Sequence, residues 1–280
     1  MQPLPRIPGY VILQRLGGGP MTTVYEARNR ETGEECAVKV LREDWTDQNA
    51  GIKLMQREAR AGLSLHHNHL VRLNRAHVLQ APYFLVMDLL PGESVRSRLL
   101  RDYSLPVSDA IWIARQTAEA LACMHHAGFL HGDIKPDNVR IVQDGRAVLT
   151  DLGFAHRPGE NAAFLRAGYV LGTANYLAPE MCGESPREDY SSDLFSLGVT
   201  LFEFITGKLP YPPGSLRQTF RRHQCDPPAR LLGPFPSELS GLIERLLAHR
   251  QEERPRAVQV VQQLVRLEIA SLGWRNRRAA

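Results

Sequence analysis

The sequence predicts an α+β fold, with a small β-rich N-terminal lobe holding one helix and a larger, mainly helical C-terminal lobe. Three observations carry this prediction. Residues 10–90 read as short apolar stretches between turns, and residues 95–270 carry helical composition and spacing. The length of 280 residues suffices for two lobes with cores of their own but not for several full domains.

The elements follow in order along the chain. "YVILQRLGGG" and "TTVYEARN" are apolar-rich stretches around a glycine turn, and "ETGEECAVKVL" enters as a third strand through a Thr-Gly turn. "KLMQREARAGLSL" is helical, with Leu54, Ala61 and Leu65 near helical spacing. "AHVLQAPYFLVMDLL" completes the sheet as a hairpin, which places the N-lobe at about 9–90. After Pro91-Gly92 the pattern turns helical, and "VSDAIWIARQTAEALACMHHAG" is expected to open with a Ser-Asp cap and close at Gly128. Further helices fit "DYSSDLFSLGVTLFEFITG", "SELSGLIERLLAH" and "PRAVQVVQQLVRLEIASL". These place the C-lobe at about 91–272, followed by a basic tail at 273–280. No internal repeat or low-complexity segment appears.

Composition excludes several classes. Apolar content of 43% and charged content of 23% are ordinary for a globular protein, and no apolar run has membrane-spanning length. The proline-broken N-terminus lacks a signal-peptide layout. Cys36, Cys123, Cys182 and Cys225 have no paired spacing, so neither a zinc site nor a disulfide scaffold is expected, and a reducing cytoplasm suits them. The formal charge of +4 is modest. Arg275, Arg277 and Arg278 beside Trp274 read as a solvated tail, so no nucleic-acid partner is expected. His66, His67 and His69 follow a helix, where capping and packing are commoner than a metal site.

Chemistry concentrates in "FLHGDIKPDNVRI", where Asp133 and Asn138 stand in an Asp-x-x-x-x-Asn spacing with His131 two residues ahead. That outline suits a loop that positions a hydroxyl nucleophile and a metal ion for phosphoryl transfer, and two different kinds of kinase share it. The chain has 30 arginines against four lysines, Lys39, Lys53, Lys135 and Lys208. A position that stays lysine against such a bias points to a need for a compact ammonium, and Lys135 falls in this loop. Lys39 falls in "CAVKVL", where apolar flanks predict a buried strand position that requires an anion, with Glu58 on the following helix as the natural partner. One strand earlier, Gly17 and Gly19 in "LGGGPMTTV" would let backbone approach phosphates closely, with Thr22 at the third glycine position.

Taken in order, these segments resemble the protein kinase family from about Gly9 to about Leu272. The resemblance implies the bilobal kinase fold, with "KLMQREARAGLSL" as the helix of the small lobe. It assigns Lys39 to the α- and β-phosphates of ATP with Glu58 as its partner, Asp133 to the substrate hydroxyl, and Asn138 and Asp151 in "LTDLGFA" to magnesium, with manganese as an alternative. Hard oxygen donors of that kind suit either cation. Leu16, Gly17, Gly18 and Gly19 would cover the phosphates. The adenine would hang from the backbone of "MDLLPG", with Asp88 in that stretch, Leu90 offering its amide and Met87 behind it, roofed by Val24 and Ala37, with the stem of Arg140 beneath in place of the family's usual aliphatic residue. Lys135 would neutralise charge on the phosphate in flight. Glu180 in "LAPE" would pair with Arg254, and Asp193 would hold the catalytic-loop backbone.

The resemblance also implies a substrate. Lys135 two residues after Asp133, with Thr173 bridging the two, is similar to kinases acting on serine or threonine of a protein, and the loop and segment sequences are most similar to bacterial members. Most of the family carries arginine at the place of Gly132, where it grips a phosphate on the activation segment. From Phe154 to Gly172 there is no serine or threonine, so both halves of that switch are missing together. The segment is therefore expected to fold without phosphorylation, tethered by apolar contacts of Phe164 and Leu165. Two alternatives stand beside an active protein kinase: a pseudokinase serving as a nucleotide-binding or scaffold module, and a small-molecule phosphotransferase of the aminoglycoside kinase type, whose loop also reads His-Gly-Asp. The sequence leaves oligomeric state open.

Overall fold

The computed structural model describes residues 4–45, 49–183 and 185–278, and the chain divides into two compact units: residues 1–91 with 151–155, and residues 92–150 with 156–280. The side chains of residue 49 and of residues 272–278 lie outside the described set, as do residues 279–280. The expectation of a solvated basic tail falls largely there.

The first unit is a five-stranded antiparallel sheet with a helix against it. Strands β1 (Tyr10–Gly18), β2 (Thr22–Asn29), β3 (Glu35–Leu41), β4 (Leu73–His77) and β5 (Phe84–Asp88) run in the order β1-β2-β3-β5-β4. Helix α1 (Asn49–Ser64) follows β3 in the chain. From Cys36 to Leu41 every residue of β3 is buried, as befits a central strand covered on both faces. Strand alternation divides those residues. Val38 and Val40 join Ile7, Tyr10, Ala27, Phe84 and Val86 in one core, while Leu41 joins Leu73, Leu85 and the α1 residues Met55 and Ala59 in another. Lys39, two residues from Leu41, therefore belongs to the face that α1 covers.

The glycine turn is a tight hairpin closed by the Gly19 amide donating to the Thr22 carbonyl at 2.9 Å. Of its three glycines the hairpin itself demands only the middle one. A Cβ on Gly18 would lie 2.6 Å from the Thr22 carbonyl oxygen, whereas at Gly17 or Gly19 it would meet nothing within 4 Å.

The second unit is built on helices α3 (Val107–His126) and α5 (Tyr190–Thr206), with α8 (Ala257–Arg278) along α3. Phe129, Phe195, Phe204, Ile111, Leu121 and Met124 are among its fully buried side chains. Smaller helices are α2 (Val95–Asp102), α4 (Ala162–Arg166), α6 (Leu216–Cys225) and α7 (Ser237–Leu246). A three-stranded sheet completes the unit, with β6 (Gly92–Ser94), β7 (Val139–Val142) and β8 (Ala147–Leu149) in that order. The sequence reading did not anticipate this sheet, nor α2, α4 and α6, because elements of three to ten residues leave little periodicity to detect. It also misplaced the start of α3. Pro106 occupies the N-cap without a side-chain bond, so Ser108 and Asp109 lie inside the first turn. At the other end α8 continues helical through Arg278. Among the described residues no helix is long and apolar enough to cross a membrane.

Candidate active site

Within the first unit, Lys39 is 6% exposed, and its ammonium meets both oxygens of Glu58 at 2.8 and 2.9 Å and Oδ1 of Asp151 at 2.6 Å. The pairing with Glu58 follows from the alternation of β3, which aims Lys39 at the α1 face beside Ala59. Asp151 arrives differently. It adopts a left-handed conformation, φ 60°, at the start of a short 3-10 turn (Leu152–Phe154) and accepts the Gly153 amide at 3.3 Å. Burial works against the Lys39 ammonium, but Asp151 and Glu58 outweigh it and hold its pKa above the ordinary lysine value. Burial pushes the Glu58 carboxyl up despite Lys39, and the charge of Asp151 adds to the rise.

Register shows what else shares that face. Val24 lies opposite Lys39, Leu85 opposite Lys39 on the other side, and Met87 opposite Ala37. Opposed residues project to the same side of a sheet, so Val24, Ala37, Lys39 and Met87 form one continuous surface. Leu16 is 48% exposed. Asp88 is exposed, with its amide on the Arg72 carbonyl and its carboxylate accepting from Asn74, and Leu90 comes after the end of β5.

Within the second unit, Asp133 is 3% exposed and sits in a closed ring of polar bonds. The Thr173 hydroxyl donates to its Oδ1 at 2.7 Å and accepts from the Lys135 ammonium at 2.7 Å, while Lys135 also lies 2.7 Å from Oδ2. Asn138 donates through Nδ2 to the Asp133 carbonyl at 2.8 Å and to Oδ2 at 3.0 Å. This brings together four of the residues singled out in the sequence. Arg140, on β7, turns its guanidinium back to the Gly92 carbonyl, and burial pulls its pKa down.

The loop backbone is held from beneath. Asp193, 2% exposed on α5, accepts the His131 amide and the Gly132 amide, both at 2.9 Å, and lies 2.9 Å from His125 Nε2. Burial alone would raise its carboxyl, yet the contact with His125 and the bond from the His131 amide hold it below the ordinary aspartate value. His131 Nε2 stands 3.1 Å from the Thr150 carbonyl and its Nδ1 accepts the Asp133 amide at 3.3 Å, a pattern that a neutral ring protonated at Nε2 satisfies. Glu180 meets Arg254 through both oxygens at 2.7 and 2.8 Å, with the Arg254 side chain fully buried.

Two features of this region escaped the sequence reading. Gly132 has φ 79°, a left-handed conformation that other residues adopt only with strain. A Cβ on Gly172 would lie 2.6 Å from the Gly132 carbonyl oxygen, so a second glycine lets the activation segment close on the loop. The other is a contact of two buried groups with a partly buried carboxylate: Glu188 lies 2.8 Å from His156 Nε2 and accepts from Asn161 at 2.9 Å. No motif marks Glu188. Leu165 packs against the cluster of Leu177, Met181 and Cys182, as does Phe220, whereas Phe164 packs edge-on against Tyr169, 5.8 Å between ring centres.

Each unit carries a hard oxygen donor of the kind a divalent cation takes. Asp151 offers a carboxylate, and Asn138 turns its amino group to Asp133, which leaves its amide oxygen as the donor atom. Among the described residues no group of three or more His, Cys, Asp or Glu side chains could hold a metal alone, and this includes His66, His67 and His69. A magnesium ion that keeps most of its ligands as water and phosphate oxygen needs no such group.

Residues 10–265 match the protein kinase domain family. PknA of Mycobacterium tuberculosis, a serine/threonine-protein kinase, is 33% identical over 254 residues, which is 88% of this chain and 58% of that protein. The serine/threonine-protein kinase PkaA of Streptomyces coelicolor is 32% identical over 262 residues, 89% of this chain and 48% of PkaA. A probable serine/threonine-protein kinase of Clostridium perfringens is 29% identical over 241 residues, 85% of this chain and 35% of the relative. The chain thus spans between 35% and 58% of the length of these relatives. With its matched span covering both units, the chain belongs to the protein kinase domain family.

Proposed function

We propose that this chain transfers the γ-phosphate of ATP to serine or threonine hydroxyls of protein substrates. The observation that carries the reading is the bonded series Lys135, Thr173, Asp133. It aims a carboxylate at an incoming hydroxyl, keeps an ammonium within reach of the transferring phosphate, and ties both to the end of the activation segment. Bound magnesium supplies charge neutralisation across the phosphates. Asp151 and Asn138 offer its protein ligands. Lys39 holds the α- and β-phosphates, and Glu58 keeps Lys39 extended along its strand face. Leu16, Gly17, Gly18 and Gly19 cover the phosphates. Val24, Ala37 and Met87 line the adenine, which bonds to the backbone at Asp88 and Leu90, with Arg140 contributing its stem. The absence of strain at Gly17 and Gly19, where the hairpin has no need of glycine, supports a role for bare backbone there.

The activation segment takes its place without a phosphate on this reading. Support comes from the absence of serine and threonine between Phe154 and Gly172, where Tyr169 is the one hydroxyl, from the glycine at position 132 and from the packing of Leu165. The four cysteines are free, which suits a reducing cytoplasm.

Incubation with magnesium and labelled ATP, with and without generic protein substrates, tests the reading beside Asp133→Asn and Lys39→Met. Label on protein serine or threonine, lost in both variants, is the expected result. Nucleotide binding with no transfer would instead establish a pseudokinase, and transfer to an aminoglycoside the small-molecule enzyme. Mass spectrometry of the active protein that finds a required phosphate between Asp151 and Glu180 would sink the phosphate-independent part.

A further inference from the structure

Glu188 lies just outside the activation segment, one residue before Asp189, the N-cap of α5. Two side chains from the segment converge on its carboxylate. Nε2 of His156 is 2.8 Å from one oxygen, and Nδ2 of Asn161 donates to the other at 2.9 Å. All three groups are withdrawn from solvent, with His156 1% and Asn161 2% exposed and the Glu188 side chain 9% exposed. A carboxylate this withdrawn is tolerated only with polar partners, and here Asn161 supplies the hydrogen bond while His156 Nε2 meets the other oxygen by close approach without hydrogen-bond alignment.

We infer that Glu188 is a positioning residue, a permanent carboxylate that fastens the activation segment in the arrangement for which related enzymes use an added phosphate. Its catalytic consequence rests on the phosphotransfer reading above. His156 connects the clamp to the catalytic loop, because its backbone exchanges two hydrogen bonds with Leu130, at 2.8 and 3.2 Å, three residues before Asp133. Asn161 connects it to the short helix α4, whose Leu165 amide bonds to the Asn161 carbonyl at 2.9 Å and whose Leu165 side chain packs on Leu177 and Met181. Glu188 itself is anchored by the first turn of α5. Asp189 and Ser192 form a reciprocal capping box there, and the next residue, Asp193, holds the loop amides. One helix start therefore holds the catalytic loop through Asp193 and the activation segment through Glu188. With no serine or threonine between Phe154 and Gly172, a side-chain carboxylate supplies the negative charge that the segment's own residues cannot acquire on those types.

The test compares Glu188→Ala, Glu188→Gln, Glu188→Asp and Asn161→Ala with the parent chain, and takes the exposed Glu252→Gln as a control. Three quantities are read: thermal midpoint, kcat and KM for a generic protein substrate with magnesium ATP, and the rate of tryptic cleavage after Arg166, an exposed segment residue. Cleavage of a folded chain follows the population of the locally open form. Glu188→Ala is expected to raise cleavage after Arg166 about tenfold ahead of other sites and to lower kcat about tenfold, leaving the KM for ATP within about twofold. Glu188→Asp should recover most of both. Faster cleavage supports the tether whether or not the chain transfers phosphate, so failure of the tether and failure of the kinase reading are separable. Unchanged cleavage in Glu188→Ala overturns the proposal. So does a fall in thermal midpoint with all sites opened alike, and, in a chain that transfers phosphate, faster cleavage with an unaltered kcat overturns the positioning role. If Glu188→Ala does not fold, Asn161→Ala decides by the same readouts, since it removes one donor and leaves the carboxylate beside His156.

Discussion

The Glu180–Arg254 pair offers the sharpest quantitative test of how the second unit is held. Arg254 has no exposed side-chain surface and Glu180 has 12%, and the two meet through paired bonds at 2.7 and 2.8 Å. Arg254 also donates to the Ala248 carbonyl and lies over the Phe195 ring, 5.0 Å from its centre, so it cannot swing into water when its partner is removed. Two opposite charges about 4 Å apart attract by about 4 kcal/mol at an effective dielectric near 20. Breaking such a pair on one side is expected to cost about 3–5 kcal/mol, because a buried charge is left behind. Glu180→Leu should therefore lower the thermal midpoint by on the order of 10 °C. Adding Arg254→Met removes the stranded charge, and the double variant should be more stable than the sum of the single losses allows. The pH dependence follows the same pair. Burial pushes the Glu180 carboxyl up, but the Arg254 bonds outweigh it and hold the folded value below the ordinary one. The unfolded chain then binds the proton first as pH falls. The contribution is complete above the ordinary carboxylate range and is lost on descending through the folded value. Calorimetry from pH 7 downward should show a steeper acid loss in the parent than in Glu180→Leu. Single-variant losses under about 1 kcal/mol, or strict additivity in the double variant, would refute the reasoning.

Three further outcomes are expected. Thr173→Ala removes the hydroxyl between Asp133 and Lys135 and should lower kcat about tenfold in a phosphotransfer assay with little change in the KM for ATP, while Thr173→Ser keeps near-parent kcat. Gly132→Ala places a Cβ on a left-handed backbone, φ 79°, and should cost about 1–2 kcal/mol in denaturant unfolding, with reduced turnover because Asp133 comes directly after it. Gly18→Ala drives a Cβ to within 2.6 Å of the Thr22 oxygen and should destabilise by about 1–3 kcal/mol, whereas Gly17→Ala, with open space, should stay within about 1 kcal/mol in the same melt.

Much of this arrangement is legible in the chain because the residues that do chemistry break the local rules. Lys39 stands out as a charge amid Ala37, Val38, Val40 and Leu41, and Asp133, Lys135 and Asn138 crowd one polar stretch between apolar flanks. The partnership of Lys39 with Glu58 follows from strand alternation and helix placement alone. Its second partner does not, because Asp151 is 112 residues away and reaches the ammonium only through its own left-handed backbone. The support of the activation segment is hidden for a similar reason. Glu188 sits among Arg187 and Asp189 in what reads as a charged, solvated turn, and only the fold withdraws it from water to meet His156 and Asn161. Gly132 is legible as an anomaly, but its backbone angle supplies a reason that composition does not. The short strands β6 to β8 leave no detectable pattern, since three or four residues scarcely show a period of two.

The cluster at Lys39 also sets out a division of labour between its two carboxylates. One ammonium faces two negative groups, so the trio carries a net charge of −1 when all are ionised. Glu58 engages both oxygens and has a side chain 6% exposed, while Asp151 engages Lys39 through Oδ1 alone and is 44% exposed. The bond to Glu58 is thus the fixed half and the bond to Asp151 the exchangeable half. Under the proposed function, Asp151 would be the carboxylate available to hold a cation, while Glu58 would keep Lys39 in place to meet phosphate oxygens. An exchange of partners of that kind would leave Lys39 bonded to Glu58 throughout, so the buried ammonium would at no stage stand alone.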